Sequence, residues 1–442
     1  MSTPLLGAAN RYLREGRSRF HMPGHKGMPL EGLGDITRYD LTEAGGLDSL
    51  YHAAGAIAET EAAFTKLYGT AASFLSAGGS TLCIQAMLAL AAAPGSKVLA
   101  ARGVHTAAVN AMALLDLQPV WIYPEQDALT GLAGTVSPQA VEAALQKHPD
   151  VSAVYITSPT YYGVLSDIAG IKAVCGRYGV PLLVDNAHGA HLKFRTPSLH
   201  PVDLGADLCC DSLHKTLPVL TGGALLHVCD ERYVRRAKER MALFGSTSPS
   251  YLIMLSADAA LPYLRDRAGE DIARVSHTIS SLSDRARQKG FLTPRGVLEP
   301  LRLTLGFSPL GCTAEAFYAH LQSCRIEPEY LGGGYCVLIA GPQNSGEDFR
   351  RLREAIDTLP PQPPLPVPGV RLLPAEQVLS PRQAAFRDSG PVPVAQAVGQ
   401  VAGGMVAPCP PGIPIVIGGE RIDRDCAQAL KNCGIRTVNV IK

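Results

Sequence analysis

Short apolar runs alternate with helix-length segments over residues 67–228, and this order constrains the fold more than any other feature. The apolar runs are residues 98–101, 119–123, 152–157 and 180–184, and the helical segments are residues 82–93, 106–115, 138–147 and 168–178. Ser137 followed by Pro138 supplies a capping residue and a first-turn proline for one of these helices. Continuous apolar runs are typical of strands buried on both faces. The order therefore predicts an α/β fold with an open, mostly parallel sheet flanked by helices.

The pattern changes after about residue 268. Residues 301–307 and 336–339 are predicted strands with a predicted helix over 314–323 between them, which indicates a smaller α+β domain. The proline-rich residues 360–368 favour an extended, semi-rigid connector. The predicted organisation is an N-terminal arm (1–60), a large α/β domain (61–267), a small α+β domain (268–359), and the connector with a C-terminal domain (360–442).

Composition excludes several classes of protein. With 40 Lys+Arg against 39 Asp+Glu the formal net charge is +1, which argues against a nucleic-acid-binding protein. A hydrophobic content of 46% with 18% charged residues is typical of a globular chain. No apolar run reaches the length of a membrane span, and the first 20 residues lack a signal-peptide core. The eleven cysteines include no CxxC pair, so reduced thiols and a cytoplasmic location are expected.

Three segments carry residue types suited to chemistry. The first, residues 76–81, has two glycines and the hydroxyls of Ser80 and Thr81 before a helix predicted to begin near Leu82. Unpaired amides at a helix N-terminus bind anions such as phosphate. Taken alone, the segment fits an ordinary N-cap after a turn at least as well.

The second segment places Asp185 at the end of a predicted strand, with His188 and His191 close behind it. A carboxylate at a buried strand end needs a cationic or hydrogen-bonding partner. The same three side chains also permit a metal site with water as the fourth ligand, so a metal-dependent hydrolase is one alternative.

The third segment surrounds Lys215 with Ser212, His214 and Thr216 after a short apolar run. Most lysines are solvated surface charges. A lysine in a partly desolvated loop has a lowered proton affinity, however, and can form a Schiff base as a nucleophile.

Together the three segments match the needs of pyridoxal 5′-phosphate. Its phosphate would lie at the helix N-terminus near Ser80, its ring nitrogen against Asp185, and its aldehyde carbon on Lys215. A metal site would leave Lys215 and the hydroxyl-rich loop without a role.

The sequence resembles the fold-type-I ornithine/lysine/arginine decarboxylases of bacteria over almost its whole length. The matching motifs are residues 20–27, Gly79-Ser80-Thr81, residues 185–191, residues 212–215, residues 246–251, residues 410–414 and Gly419-Glu420. The chain begins directly at the core linker, as in short members without an N-terminal response-regulator-like domain. The resemblance implies a fold-type-I enzyme that decarboxylates arginine, lysine or ornithine to the corresponding amine and carbon dioxide.

The resemblance also implies roles for individual residues. The implied catalytic residues are Lys215, His214, Asp185 and His105. The implied cofactor-binding residues are Gly79, Ser80, Thr81, His105, Asp185, Ala187, His188, Ser212, His214, Lys215, Thr247 and Ser248. Of these, His105 would stack on the cofactor ring and Ala187 would pack on its other face. The hydroxyls of residues 246–248 would come from a neighbouring subunit, so a homodimer with shared active sites, or a higher oligomer that contains it, is expected.

The sequence departs from the family pattern at four positions. Asn186 stands where glutamate is frequent, Thr106 where lysine is usual, and Gln400 and Cys409 where arginine and tyrosine are common. The last two leave substrate specificity open. They also keep an inactive cofactor-binding paralogue as an alternative. Another fold-type-I reaction, such as transamination or elimination, is a separate alternative.

Several roles stay open at this point. His214, Lys215 and Tyr162 are all candidates for protonating the substrate Cα. A basic substrate needs an acidic partner, and the candidates are Glu43, Asp48, Glu329 and Glu420, each of which could equally be a solvated or capping carboxylate. His21, His25 and Lys26 could line the entrance or order the N-terminal arm.

Overall fold

A computed structural model of the chain describes residues 3–127, 129–367, 374–407 and 414–442. The helices are α1 Pro4–Arg14, α2 Ala56–Tyr68, α3 Gly79–Ala91, α4 Thr106–Leu115, α5 Pro138–Lys147, α6 Ile168–Tyr178, α7 Leu213–Thr216, α8 Val234–Ala242, α9 Tyr251–Asp266, α10 Ala268–Gln288, α11 Ala314–Ser323, α12 Gly346–Thr358, α13 Pro381–Ala385 and α14 Arg424–Asn432. The strands are β1 Ala72–Ser76, β2 Lys97–Ala101, β3 Gln118–Ile122, β4 Val151–Thr157, β5 Leu182–Asp185, β6 Leu208–Ser212, β7 Ala224–Val228, β8 Arg302–Gly306, β9 Tyr330–Gly332, β10 Tyr335–Ile339, β11 Ser389–Pro393 and β12 Thr437–Ile441.

The chain forms two compact units: residues 1–90 with 183–271, and residues 91–182 with 272–442. In the first unit β5 pairs in parallel with β6, whereas β7 is antiparallel to both β6 and β1. Strands β5, β6 and β7 are buried along their whole length. Helix α9 is joined to α1 and α2 by the buried Asp258, which accepts the Leu6 N–H at 2.9 Å and the Thr60 hydroxyl at 2.7 Å.

The second unit contains the parallel strands β4, β2 and β3 in that order. The bounds of α4, α5 and α6 agree with those predicted from the sequence. Ser137 caps α5 by accepting the Ala140 N–H at 3.2 Å, with Pro138 at the first helical position. The expectation of an α/β fold with a mostly parallel sheet is confirmed.

The C-terminal part of the second unit is α+β, as predicted. Strand β10 lies between β8 and β9 in an antiparallel sheet, and α11 covers the predicted helix over 314–323. Strands β11 and β12 pair with each other and pack with α14 around Val416, Ile422 and Leu430. The predicted domain boundaries at residues 60, 267 and 359 stay a prediction.

The proline-rich connector has neither helix nor strand in its described part, residues 360–367. Its backbone is held against the end of β8, since Gln362 donates to Leu310 O and Leu365 donates to Ser308 O, both at 2.9 Å. Pro368, the last residue of the predicted connector, lies outside the described residues. Among the residues that the structure describes, no helix has both the length and the apolarity to span a membrane.

Candidate active site

The glycine-rich segment 76–81 is a rigid turn at the start of α3. The helix begins at Gly79 rather than near Leu82, so Ser80 belongs to its first turn. Gly79 has a φ of +66°, and its N–H donates to Gly222 O at 2.9 Å. Ser76 Oγ donates to Gly79 O at 3.0 Å and accepts the Gly78 N–H at 3.1 Å. Because the first amides of a helix have no partner within it, this turn presents donors suited to an anion.

Two of the predicted cofactor-binding segments meet at a pair of hydroxyls. Ser212, at the end of β6, donates its Oγ hydrogen to Ser80 Oγ at 2.9 Å. The residues after it form the one-turn helix α7, so Lys215 lies in a helical turn and the expectation of a loop around it was wrong. His214 Nδ1 lies 3.0 Å from Gly223 O, which fixes the imidazole ring.

The predicted carboxylate ends β5, and the predicted amine lies in the helical turn that follows the neighbouring strand β6. Asp185 ends β5, where it pairs with Cys210 of β6, and only 2% of its surface is exposed. Its Oδ1 accepts the Ala187 N–H at 3.1 Å and the Cys210 S–H at 3.7 Å. Burial raises the pKa of the Cys210 thiol, which keeps it a donor. Lys215 Nζ lies 2.9 Å from His188 Nε2, so the two motifs are in direct contact.

A cavity of about 410 Å³ opens beside the turn. Its lining includes Gly78 and Thr81 at the start of α3, and Ser246 and Ser248 from the segment before α9. The hydroxyl-bearing residues 246–248 are exposed in this chain. The contact of Thr247 and Ser248 with a cofactor in a neighbouring subunit stays a prediction.

His105 follows β2 in the second unit and caps α4. Its Nδ1 accepts the Ala107 N–H at 3.1 Å, and its side chain is exposed. Stacking of this ring on a cofactor stays a prediction.

Of the departures from the family pattern, Thr106 begins α4 and Gln400 donates to Gln396 O at 2.8 Å.

The other C-terminal departure, Cys409, and residues 410–413 of the matching motif lie outside the described residues.

The metal alternative required Asp185, His188 and His191 to share one site. Among the described residues, the group of ligand atoms within 4.8 Å of one another belongs to His200, Cys209 and Asp211 instead. His188 is directed at Lys215. The geometry favours an amine-centred site.

Two of the four acids proposed to recognise a basic substrate have structural partners. Asp48 accepts the backbone N–H groups of Ser49, Ala54, Gly55, Ile57 and Ala58. Burial raises the pKa of Asp48, but these donors together lower it below its usual value.

Glu420 is fully buried and paired with Arg102 at 3.1 Å. Glu43 and Glu329 are exposed and remain candidates for substrate recognition.

The N-terminal histidines and lysine contact one another and their own arm. His21 Nε2 lies 2.5 Å from Tyr12 Oη, His25 Nε2 lies 3.1 Å from Asp40 Oδ2, and Lys26 Nζ donates to His21 O at 2.5 Å. These contacts favour the interpretation that they order the arm.

Burial raises the pKa of the Tyr162 hydroxyl well above its usual value. Protonation of the substrate Cα by Tyr162, His214 or Lys215 stays a prediction.

Sequence reasoning missed Cys210 and Asp211, although both lie in a segment that it singled out. Side chains alternate between the two faces of a strand, so Cys210 shares a face with Ser212 while Asp211 points the other way. This alternation alone could have shown that Cys210 and Asp211 face opposite sides of the sheet. Placing Cys210 against Asp185 required the register of β5 and β6.

Comparison with known proteins agrees with this geometry. The family described as Orn/Lys/Arg decarboxylase, major domain, matches residues 3–290, and its C-terminal domain matches residues 368–432. An arginine decarboxylase of Halalkalibacterium halodurans is 30% identical and aligns over 95% of this chain and 91% of its own length. The YaaO protein of Bacillus subtilis is also 30% identical, over 97% and 94% of the two chains.

Solved structures agree in fold. Lysine decarboxylase A from Pseudomonas aeruginosa superimposes with a TM-score of 0.84 at 19% identity, covering 99% of this chain and 80% of its own. At that identity the likeness supports the fold alone. The sequence matches go further: the chain belongs to the Orn/Lys/Arg decarboxylase family and is a pyridoxal phosphate-dependent carboxy-lyase.

Proposed function

We propose that this protein decarboxylates a basic amino acid (arginine, lysine or ornithine) to the corresponding di- or polyamine and carbon dioxide. The observation that carries the proposal is that the buried carboxylate of Asp185 ends β5, while Lys215, in the helical turn after the adjacent parallel strand β6, contacts His188 of the same 185–191 motif. The hydrogen-bonded hydroxyls of Ser80 and Ser212 belong to the same compact unit. Family membership supports the reaction class, and the names of the relatives support arginine or lysine as substrates.

The donor set fits pyridoxal phosphate. The N-terminal amides of α3 with Ser80, Thr81 and Ser212 would hold its phosphate, since they combine backbone donors with hydroxyls at a helix N-terminus. Asp185 would face its ring nitrogen and Lys215 its aldehyde carbon. When bound, the cofactor supplies an electron-accepting ring for the bond that breaks at the substrate Cα.

Three side chains of the site, Asp185, His188 and His214, can hold or exchange protons. The Asp185 carboxylate would hold a proton on the facing ring nitrogen, and its own orientation is fixed by the Ala187 N–H and the Cys210 thiol. His188 Nε2 lies within hydrogen-bonding distance of Lys215 Nζ, so it can exchange a proton with the amine. His214 donates its Nδ1 hydrogen to Gly223 O, which leaves Nε2 as the nitrogen that can take up a proton.

A homodimer is part of the proposal. Residues 20–36 expose apolar side chains that a monomer would leave in water, including Phe20 at 97%, Met28 at 68% and Leu33 at 64%. Exposed apolar clusters of this kind mark interaction surfaces, and a second copy of the chain is the occupant we propose. A cytoplasmic location accords with the described cysteines, which are all free thiols.

The deciding experiment measures carbon dioxide release from arginine, lysine and ornithine, offered separately to the cofactor-loaded protein. We expect release from one of the three without any 2-oxo acid. The Lys215→Ala variant is the matched control and should release none. Activity that needs a 2-oxo acid would indicate transamination, and release from none of the three would contradict the proposal.

A further inference from the structure

A polar network lies on the face of the first unit's sheet opposite the candidate site. Asp185 pairs with Cys210, whereas Cys209 pairs with His227 across β6 and β7. Because side chains alternate along a strand, Asp185 and Cys210 point to one face, and Asp211 and His227 to the other. Asp211 therefore lies directly behind the residues proposed to hold the cofactor.

Asp211 is fully buried and accepts hydrogen bonds from three side chains. Asn186 Nδ2 donates to Oδ1 at 2.7 Å, and the Nε2 atoms of His200 and His227 lie 3.0 and 3.1 Å from Oδ2. His200 Nδ1 accepts the Val202 N–H, so its proton is on Nε2, facing the carboxylate.

The network places the Asp211 carboxylate between the imidazole rings of His200 and His227. Burial raises the pKa of the Asp211 carboxyl, but the facing side chains of His200 and His227 together lower it by more. The pKa of Asp211 therefore lies well below its usual range. Burial lowers the pKa of His227. A buried carboxylate with three donors is a rigid anchor, because removing any donor leaves a charge without solvation.

Asn186 connects this anchor to the site. Its N–H donates to Cys210 O at 2.9 Å, and its carbonyl accepts the Gly189 N–H at 2.8 Å, which closes the turn 186–189. A Cβ at residue 189 would collide with the Asn186 side chain, so glycine is required there. The turn carries Ala187, which holds Asp185, and His188, which contacts Lys215.

We propose that Asn186 and Asp211 form a positioning pair that fixes the turn 186–189, and with it the orientation of Asp185 and Lys215 toward the cofactor. The inference rests on the proposed function, since it assigns these two residues to the support of that site. Neither residue touches the cofactor in this account. An acid at residue 186 would face Asp211 across a hydrogen-bonding distance, which gives a reason for the amide there.

The pair can be tested by exchanging its two members. In Asn186→Asp the two carboxylates would face each other, and in Asp211→Asn an amide would face donors. In the double variant Asn186→Asp/Asp211→Asn an amide again meets a carboxylate, and the remaining oxygen of residue 211 can still accept from the histidines. The readouts are the dissociation constant of pyridoxal phosphate from the apoprotein, the pH dependence of the bound cofactor's absorption, and the melting temperature of the apoprotein.

We expect each single variant to weaken cofactor binding by about tenfold to a hundredfold and the double variant to recover most of the loss. The control is Asp258→Asn, because Asp258 is equally buried and hydrogen-bonded in the same unit but lies in α9. It should lower the melting temperature and leave the affinity and the absorption profile unchanged.

Three results would overturn the inference: single variants that bind the cofactor like the wild type, a double variant no better than the singles, or an equal affinity loss in Asp258→Asn. If Asp211→Asn does not fold, Asn186→Ala replaces it, because that variant removes the amide without adding charge and must still weaken binding. Failure of the wild type to bind pyridoxal phosphate would instead contradict the proposed function.

Discussion

Substitution of Glu420 by glutamine separates a structural role from substrate recognition. Glu420 is fully buried and Arg102 is 1% exposed, and the two meet at 3.1 Å. The guanidinium also donates to Pro414 O at 2.7 Å and Ile415 O at 3.3 Å, while the carboxylate accepts the Ile417 N–H at 2.7 Å. Together these contacts join the end of β2 to the C-terminal segment within the second unit.

The loss in free energy of unfolding expected for Glu420→Gln follows from this buried environment. Removing one partner of a buried ion pair typically costs about 3–5 kcal/mol, because the other charge stays buried without compensation. Arg102 keeps two carbonyl acceptors in Glu420→Gln, so we expect a loss near the lower end, about 3 kcal/mol. For a cooperative unit of this size that corresponds to a fall in melting temperature of about 6–12 °C.

Thermal unfolding followed by circular dichroism, with steady-state kinetics on the same samples, is the assay. Glu376→Gln is the matched control, since the Glu376–Arg421 pair is exposed and should change stability by less than about 1 kcal/mol. Replacing both charges, in Arg102→Met/Glu420→Leu, should restore most of the stability. A Glu420→Gln variant with wild-type melting temperature and a strongly raised KM would refute this reasoning and assign Glu420 to the substrate.

Three further outcomes are expected. Burial raises the pKa of Glu61 to about 7, although Lys238 Nζ lies 2.7 Å from its carboxylate. A carboxyl group whose pKa is raised by folding stabilises the folded state at pH values below its pKa in the unfolded chain. That stabilisation is lost as the pH rises toward its pKa in the folded state. The free energy of unfolding of the wild type relative to Glu61→Gln should therefore fall by up to about 3 kcal/mol from pH ~4.5 to ~7, and a constant difference in denaturant titrations would contradict this. Asp185→Asn should lower the decarboxylation rate at least about a hundredfold, roughly 2.7 kcal/mol, and a near-normal rate would make Asp185 merely structural. Phe20→Asp should weaken self-association in sedimentation velocity, and unchanged sedimentation would exclude this segment from the interface.

Local signals were enough to predict most of the α/β region. Helix α5 has a serine cap followed by proline, and α6 ends at Gly179 in a left-handed conformation, so both begin and end where the sequence indicates. Helix α3 was predicted to start too late because glycine and serine are weak helix formers. Its first turn is held by a contact distant in sequence, the Gly79 N–H on Gly222 O.

The candidate site was predictable only in part, because its contacts also join residues that are distant in sequence. The sequence indicated Asp185, Ser212 and Lys215 because each stands at the end of an apolar run. The contacts between the segments depend on strand pairing, which no local pattern specifies. Asp211 illustrates this, since its histidine partners are 11 and 16 residues away, and His227 reaches it only when β6 pairs with β7.

Chemical trapping shows which amine of the protein holds the cofactor, and the proposal assigns that role to Lys215. The purified protein loaded with pyridoxal phosphate is reduced with borohydride, which fixes the cofactor to the amine that holds it, and the modified peptide is identified by mass spectrometry. We expect stoichiometric modification of Lys215 and none in Lys215→Ala. Modification of another lysine, such as Lys193 or Lys238, with Lys215 untouched would contradict it.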